Sequence, residues 1–248
     1  MPCDPCLTSC WIVSSKDTFC LGMKHRCETE IKLPARDRGQ LEKRLSRLGF
    51  KVLKARHYES NYLFDFPDLR LRQSQCLLRL RFAGGENWLT FKGPSLRRRG
   101  YETRREIETR VEDGALLGEV LKNLGLKRVF IYEKYRTTYA QGDYADLQAL
   151  PQAPRRGGPC ARPQAEGNEA DHGLPQVAYD ETPIGNYLEL EGPEEWIDAV
   201  ATRLGYSRQD YIANNYLALY YQKCREEGKT PGNMVFKGRK SRLGFVAA

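Results

Sequence analysis

The chain has 248 residues, of which 40% are hydrophobic and 29% charged, and this length and composition suit one main globular domain. Lys and Arg number 40 against 32 Asp and Glu, an excess that favours an anionic partner such as a phosphorylated small molecule, nucleic acid or anionic lipid. No apolar run is long enough to cross a membrane, and the first residues do not resemble a signal peptide. We therefore predict a cytoplasmic protein.

The eight cysteines do not indicate a metal site or a disulfide framework. Cys3 and Cys6 form one C-x-x-C pair, but the other cysteines offer no second pair at the spacing of zinc ligands. We therefore expect reduced thiols.

Three segments are expected to lie outside the folded core. Residues 1–22 show little periodicity and precede Met23, so we interpret them as an unstructured or mis-called N-terminal extension. Residues 148–176 are rich in Pro, Gly, Ala and Gln and indicate a flexible insertion. Residues 226–248 form a basic tail, for which a solvated, flexible end is favoured over a nucleic-acid-binding arm because no aromatic residues are interleaved in register. One domain, residues 23–225, remains.

Short helices are predicted between the strands of this domain. Asp37 can cap a helix that ends at Gly49, and Asp113 can cap a helix that ends at Gly125. Their apolar positions are Leu41, Leu45 and Leu48 in the first helix and Leu117, Val120, Leu121 and Leu124 in the second. Each helix follows an acidic alternating strand and precedes a basic, aromatic one, which indicates a diverged repeat of two halves packed face to face. Further helices are predicted over residues 194–204 and 207–223.

The strands share one pattern, with charged residues at alternate positions. In "CETEIKLPA" the charges are Glu28, Glu30 and Lys32, and because successive side chains of a strand point to opposite faces, they share one face. The same alternation groups Arg79 and Arg81 in "LLRLRF", Thr90 and Lys92 in "WLTFKG", Glu102, Arg104, Glu106, Glu108 and Arg110 in "YETRREIETR", Lys134 and Arg136 in "YEKYRTTY", and Glu189 and Glu191 in "YLELEG".

For a single strand, the simplest interpretation is an antiparallel sheet with one face in water. Across six strands, however, acids occur in E-x-E pairs and cations in R-x-R, T-x-K and K-x-R patterns, with little of the Ser, Thr, Gln and Asn typical of an exposed face. Such sorting favours a closed barrel whose interior holds an anion and its metal, because buried like charges are tolerated only beside counter-charges. Carboxylates suit Mg²⁺ or Mn²⁺, while Arg and Lys suit phosphate.

The motifs, taken in order, resemble the CYTH superfamily of triphosphate tunnel metalloenzymes, which includes class IV adenylate cyclases, thiamine triphosphatases and inorganic triphosphatases. The resemblance is carried by the E-x-E-x-K opening, "LRLR", "LTFKGP", "RREIE", "EKYR" and the E-x-E of "GNYLELEG", from about Cys27 to Tyr221. It implies an α+β fold, an antiparallel eight-stranded β-barrel tunnel flanked by helices, with Mg²⁺ or Mn²⁺ and a triphosphate inside.

The alternation and the resemblance together give candidate roles. Candidate metal ligands are Glu28, Glu30, Glu106, Glu108, Asp180, Glu189 and Glu191. Candidate phosphate-binding residues are Lys32, Arg79, Arg81, Lys92, Arg104, Lys134 and Arg136. Candidate catalytic residues are Glu28, Glu30, Lys32 and Asp180. For the lysine that thiamine triphosphatases place over the tunnel, the last helix offers only Lys223.

These features predict a divalent-metal-dependent hydrolase of triphosphate compounds. The alternative is a class IV adenylate cyclase, and a third, non-catalytic polyphosphate-binding module is disfavoured because both outer E-x-E pairs are present. No residue set stands out as a pocket for adenine, so loose specificity is expected for the group attached to the triphosphate. The expected partner is a small-molecule triphosphate, with no membrane, no nucleic acid as main partner and a possible homodimer.

Overall fold

The computed structural model describes residues 26–35, 37–142 and 174–238. The predicted N-terminal extension, most of the predicted insertion and the last ten residues of the predicted tail lie outside the described residues. In the described part of the chain, no helix is long and apolar enough to cross a membrane.

Nine strands form one antiparallel sheet. They are β1 (Arg26–Pro34), β2 (Phe50–Asp65), β3 (Leu77–Ala83), β4 (Glu86–Lys92), β5 (Leu96–Arg98), β6 (Tyr101–Val111), β7 (Lys127–Gln141), β8 (Gln176–Thr182) and β9 (Gly185–Glu191). Eight of them pair in the order β1-β9-β8-β7-β2-β3-β4-β6, and β6 also pairs with β1. The sheet therefore closes into the eight-stranded barrel that the sequence predicts, with β5 added to β6 outside the ring.

Helices connect and cover the strands. They are α1 (Arg38–Arg47), α2 (Arg70–Gln73), α3 (Gly114–Asn123), α4 (Glu194–Arg203) and α5 (Tyr216–Glu226), with a 3₁₀ turn at Arg208–Asp210. As predicted, Asp37 accepts a hydrogen bond from the Gln40 amide at 3.0 Å, and Asp113 accepts one from the Leu116 amide at 2.9 Å. Each aspartate thus satisfies an amide that has no partner within the first helical turn.

The main apolar core lies outside the barrel, between the sheet and the helices. Ile31 and Leu33 of β1 are fully buried against Leu45 of α1 and Ile197 of α4. Because these apolar residues alternate with the charges of β1, packing them outward turns Glu28, Glu30 and Lys32 toward the barrel interior. The hydrophobic core therefore fixes which face of each strand lines the interior.

The predicted repeat exists, but its two halves join edge to edge. β1, α1 and β2 correspond to β6, α3 and β7, and the sheet pairs β1 with β6 and β2 with β7. The predicted inner face of α3 is partly wrong, since Leu121 is buried whereas Val120 and Leu124 are exposed. The α3 helix covers a narrower part of the sheet than its apolar content suggests.

The region predicted as one helix over residues 207–223 is divided. After the 3₁₀ turn, Ile212 pairs with Lys32 of β1, and α5 begins only after Asn215, whose side chain accepts from the Ala218 amide at 2.9 Å. Farther along, in the segment assigned to a flexible tail, Met234 is buried and its amide donates to the Ile131 carbonyl at 2.9 Å. This pairing is possible because β8 pairs with β7 only from Tyr135 onward.

Two glycines in first helical turns give a matched test of packing. A Cβ at Gly114 would lie 2.7 Å from Phe82, whereas one at Gly39 would meet nothing closer than 3.6 Å. We expect Gly114→Ala to lower the free energy of unfolding by about 1–3 kcal/mol through overpacking. Gly39→Ala should be neutral or stabilising by up to about 1 kcal/mol. Urea unfolding of both variants measures the difference, and equal stabilities would contradict the packing around α3.

Candidate active site

The charged residues that alternate along the strands line the interior of the barrel, which we call the tunnel. The structure places all of the predicted phosphate-binding cations there, together with the predicted acids from β1, β6, β8 and β9. Side chains that are nearly inaccessible to solvent include Lys32, Arg79, Arg104, Glu106, Lys134 and Asp180. Charges this deeply buried are costly unless each is paired, and in the described structure acids and cations of the same or nearby strands do pair inside the tunnel.

One group of ion pairs joins β1, β3, β4 and β6. The Lys92 ammonium lies 3.2 Å from Glu28 and 2.6 Å from Glu106. Arg79 lies 3.7 Å from Glu106 and 3.4 Å from Glu108, which also accepts from the Thr90 hydroxyl at 2.6 Å. Glu106 therefore shares Lys92 with Glu28, the first acid of β1, and shares Arg79 with Glu108.

A second group centres on Asp180, which is completely buried. Its carboxylate accepts from Lys134 at 2.9 Å and from two nitrogens of Arg136 at 2.7 and 2.6 Å. It also accepts from the Tyr216 hydroxyl at 2.6 Å, and Arg136 reaches onward to Glu189. Asp180 thus pairs with two predicted phosphate-binding cations, and its metal-ligand and catalytic roles stay predictions.

A third group of ion pairs involves Lys32 of β1 and Arg104 of β6. Lys32 lies 2.8 Å from Glu30 and 3.4 Å from Glu189, so it bridges β1 and β9. Arg104 pairs with Glu102 of the same strand at 2.6 Å. Charges from β1, β6, β8 and β9 therefore form a continuous network along one side of the tunnel.

Two carboxyls of β1 have pKa values displaced in opposite directions. Burial, only partly offset by Lys92 and reinforced by a hydrogen bond to Glu106, raises the pKa of Glu28 to about 9. Burial also opposes ionisation of Glu30, but Lys32 and Lys92 outweigh it and hold its pKa at about 2. Burial and the nearby Glu106 carboxyl therefore favour the protonated form of Glu28, whereas Lys32 and Lys92 favour the ionised form of Glu30.

Several tunnel residues are not among the sequence candidates. Glu59 of β2 is almost fully buried 3.6 Å from Lys134 and 3.7 Å from Arg81, and His57 lies 3.2 Å from it. The pattern "YESNYLFD" places Glu59 and Asn61 at alternate positions, a signal that could have identified both. Tyr216 had no such signal, because it enters from the helix α5 rather than from a strand.

Three sequence candidates lie at the edges of this arrangement. The Glu108 side chain retains about a third of its exposure, and Glu191 accepts a hydrogen bond from Gln176 at 3.0 Å. Lys223 lies outside the tunnel, where its ammonium donates to the Ile184 carbonyl at 3.0 Å.

The carboxylates have the chemistry for Mg²⁺ or Mn²⁺ but are engaged with cations. Among the described residues, no three His, Cys, Asp or Glu side chains are grouped closely enough to hold a metal ion. One oxygen each of Glu59 and Glu102 is buried without a hydrogen-bond donor. The donor set therefore fits a hard divalent cation, provided that the carboxylates exchange their Lys and Arg partners.

The closed barrel with an ion-paired interior can be compared with known protein families. Residues 26–148 match the family model of the CYTH domain. The resemblance to the CYTH superfamily that the motifs predict is therefore confirmed over this segment, which is just under half of the chain.

A relative from Methanocaldococcus jannaschii, provisionally named an adenylate cyclase, is 34% identical over 116 residues. The match covers 47% of this chain and 65% of the relative, so it spans just under two thirds of that protein.

Solved structures share the fold beyond the matched segment. A provisionally named adenylate cyclase from Vibrio parahaemolyticus has a TM-score of 0.60 at 16% identity, covering 78% of this chain and 97% of its own. A protein from Hippeastrum has a TM-score of 0.50 at 16% identity, covering 83% and 97% respectively. The latter is described as a provisional adenylyl cyclase with a dominant triphosphatase activity. At these identities the likeness establishes the fold alone.

Proposed function

We propose that this chain is a divalent-metal-dependent hydrolase of triphosphate compounds, either inorganic tripolyphosphate or an organic triphosphate. The observation that carries the proposal is a closed barrel in which buried Lys and Arg side chains pair with buried carboxylates inside one tunnel. Ion pairs of this kind contribute little net stability, because desolvation offsets their attraction. A ligand-binding role explains why the interior contains them.

On substrate binding, the tunnel cations would exchange their carboxylate partners for phosphate oxygens. A triphosphate brings about four negative charges and many acceptor oxygens, which Arg can grip through two nitrogens and Lys as a point charge. The cations that now pair with carboxylates, Lys92 and Arg136 among them, would then bind phosphate oxygens. The carboxylates thereby released would be free to hold the divalent cation that accompanies the triphosphate.

Five carboxylates are suited to hold that cation. They are Glu28 and Glu30 of β1, Glu106 of β6, and Glu189 and Glu191 of β9. When bound, Mg²⁺ or Mn²⁺ would supply charge stabilisation to the transferring phosphoryl group. Glu28 and Glu106 are the natural starting point, because both contact the same ammonium, that of Lys92, at 3.2 and 2.6 Å, and a divalent cation could take its place.

The chain's own contribution to hydrolysis is positioning and electrostatic stabilisation. The oxygen of a water attacks the terminal phosphorus, and the bond from that phosphorus to the bridging oxygen breaks, so orthophosphate forms and the shortened phosphate leaves. One proton of the water stays on the orthophosphate, and the other passes to solvent. Lys134 and Arg136 would contact the phosphates. Asp180 and Tyr216 would act as positioning residues, since both bind those cations or their counter-ion.

A class IV adenylate cyclase is the second candidate, favoured by the provisional name of the Methanocaldococcus jannaschii relative. In that reaction, the ribose 3′-hydroxyl attacks the α-phosphorus and pyrophosphate leaves. The same cations would bind the phosphates, so the tunnel suits both reactions. The dominant triphosphatase activity of the Hippeastrum protein supports hydrolysis as the first candidate.

One reaction separates the two candidates. We expect purified protein with Mg²⁺ or Mn²⁺ to release orthophosphate from ATP faster than it forms cyclic AMP, and to release it from tripolyphosphate as well. Chromatography of both products from the same ATP sample, with a tripolyphosphate sample in parallel, provides the measurement. Excess EDTA is the control and should stop the release. Cyclic AMP and pyrophosphate as main products, with tripolyphosphate inert, would refute the hydrolase and support the cyclase.

A further inference from the structure

One side of α3 carries a row of exposed apolar residues. Leu116, Val120 and Leu124 are 63%, 46% and 66% exposed. They are evenly spaced at about one helical turn, so they form a continuous row along the helix, which we call the α3 stripe. Leu121, on the neighbouring side, is buried against the barrel. The apolar residues of α3 therefore exceed those that its packing on the barrel uses.

Neither helix formation nor solvation accounts for the α3 stripe. Val120 is a poorer helix former than Glu, Lys or Gln, which are the usual residues of a solvated helix face. The remaining exposed face of α3 does follow that rule, since Lys122 pairs with Glu119 at 2.7 Å. Single exposed apolar residues are normal on a protein surface, whereas a contiguous apolar patch rimmed by polar residues marks an interaction site. The α3 stripe has this form.

The two ends of α3 carry opposite charges. Glu112 and Asp113, both exposed, precede the helix, and the exposed Lys127 follows its last turn. The sequence is symmetric about Val120, because a leucine stands at the same distance on either side of it and, farther out, Asp113 and Lys127 stand at equal distances. The α3 stripe and its flanking charges are therefore complementary to the same surface rotated by half a turn.

A second copy of this chain fits the α3 stripe in an antiparallel arrangement. When the two helices cross at Val120, Leu116 of one copy meets Leu124 of the second copy, and the acidic end of each helix lies beside the basic end of the other. A two-fold axis generates this arrangement, since it brings the same patch of both copies together. A parallel arrangement would instead set acid beside acid, which is repulsive.

We infer that the α3 stripe is the interface of a homodimer. The stripe lies on the outside of the barrel, so the inference does not depend on the hydrolase proposed above. One helical row per copy is a smaller surface than the roughly 800 Å² per partner of a standard interface. The dimer is therefore weak, with a Kd in the micromolar range, and forms as the concentration of the chain rises.

Sedimentation velocity of the full chain over micromolar concentrations measures the dimer, and two matched valine variants test its surface. Val120→Arg sets two guanidinium groups against each other at the two-fold axis, at an exposed position that does not endanger folding. Val52→Arg is the control, because Val52 is also exposed, at 57%, but lies on β2. We expect the Kd of dimerisation to rise at least tenfold in Val120→Arg and to stay within twofold of wild type in Val52→Arg.

An exchange of charges tests the antiparallel orientation. Lys127→Glu sets acid beside acid and should raise the Kd of dimerisation at least threefold at low salt. Adding Glu112→Lys to this variant restores an attraction between the copies, so the Kd should fall back toward that of wild type. If the charges acted only within their own helix, both substitutions would oppose the helix dipole and the losses would add.

A dimer that Val120→Arg weakens and that the double charge exchange recovers supports the inference. A chain that stays monomeric at every concentration overturns it, as does a dimer that Val120→Arg and Val52→Arg affect equally. A Kd that rises further when Glu112→Lys is added to Lys127→Glu also overturns it.

Discussion

Glu189→Gln is expected to lower kcat/KM for triphosphate hydrolysis by at least about 100-fold, equivalent to about 2.7 kcal/mol of transition-state stabilisation. The substitution keeps the shape of the side chain but removes a charge that lies 3.4 Å from Lys32 and beside Arg136. Folding should survive, because Lys32 retains Glu30 at 2.8 Å and Arg136 retains Asp180 at 2.6 Å. Steady-state phosphate release with saturating Mg²⁺ or Mn²⁺ gives the measurement.

Glu181→Gln is the matched control for this variant. Glu181 follows Asp180 on β8 and accepts from Arg56 at 2.6 Å, but it lies on the outer face of the barrel. Its activity should stay within twofold of wild type. Full activity of Glu189→Gln, or an equal loss in both variants, would show that Glu189 has no specific role in binding the metal or the phosphates.

Asp180→Asn is expected to cost the ligand-free protein about 3 kcal/mol of unfolding free energy, the lower end of the range for breaking a buried ion pair. We expect a loss of unfolding free energy at the lower end of this range because both cations retain a counter-charge. Lys134 still pairs with Glu59 at 3.6 Å, and Arg136 still pairs with Glu189. Since the variant leaves two buried cations short of a counter-charge, tripolyphosphate should restore much of its stability. Thermal unfolding with and without millimolar tripolyphosphate measures both effects.

Asp198→Asn provides the comparison, because Asp198 also accepts several hydrogen bonds, including one from Tyr211 at 2.8 Å, but lies on α4 outside the tunnel. Both variants should be less stable than wild type, and tripolyphosphate should produce the larger rise in melting temperature for Asp180→Asn. Equal rises would show that the anion does not act on the cations that Asp180 holds.

Most of the barrel could be predicted from the sequence because its strands obey one simple rule. Six of the eight tunnel strands alternate charged or polar residues with apolar ones, and once Ile31 and Leu33 are buried outside, the charges of β1 must face inward. The caps at Asp37 and Asp113 follow equally local rules, so α1 and α3 begin where predicted. Local sequence patterns therefore predicted the features that depend on residues close together in the chain, namely the inward faces of the strands and the starts of the helices.

The parts that the sequence did not predict depend on contacts between distant segments. The division of the last helical region follows from the pairing of Ile212 with Lys32, a contact between residues far apart in the chain. The exposure of Val120 and Leu124 depends on how α3 lies on the sheet. Alternation assigns a residue to the tunnel but does not determine its partner, so the contacts of Asp180 with Lys134 and Arg136 required the structure.

Calorimetric titration of tripolyphosphate with Mg²⁺ into the full chain tests the central claim most directly, namely that the tunnel is a triphosphate site. We expect saturable binding of one tripolyphosphate per chain with a Kd in the micromolar range or tighter, about −8 kcal/mol or better. Arg79→Gln, which removes a cation paired with Glu106 and Glu108, should weaken binding at least tenfold. No saturable binding at millimolar tripolyphosphate, or binding unchanged in Arg79→Gln, would contradict the claim.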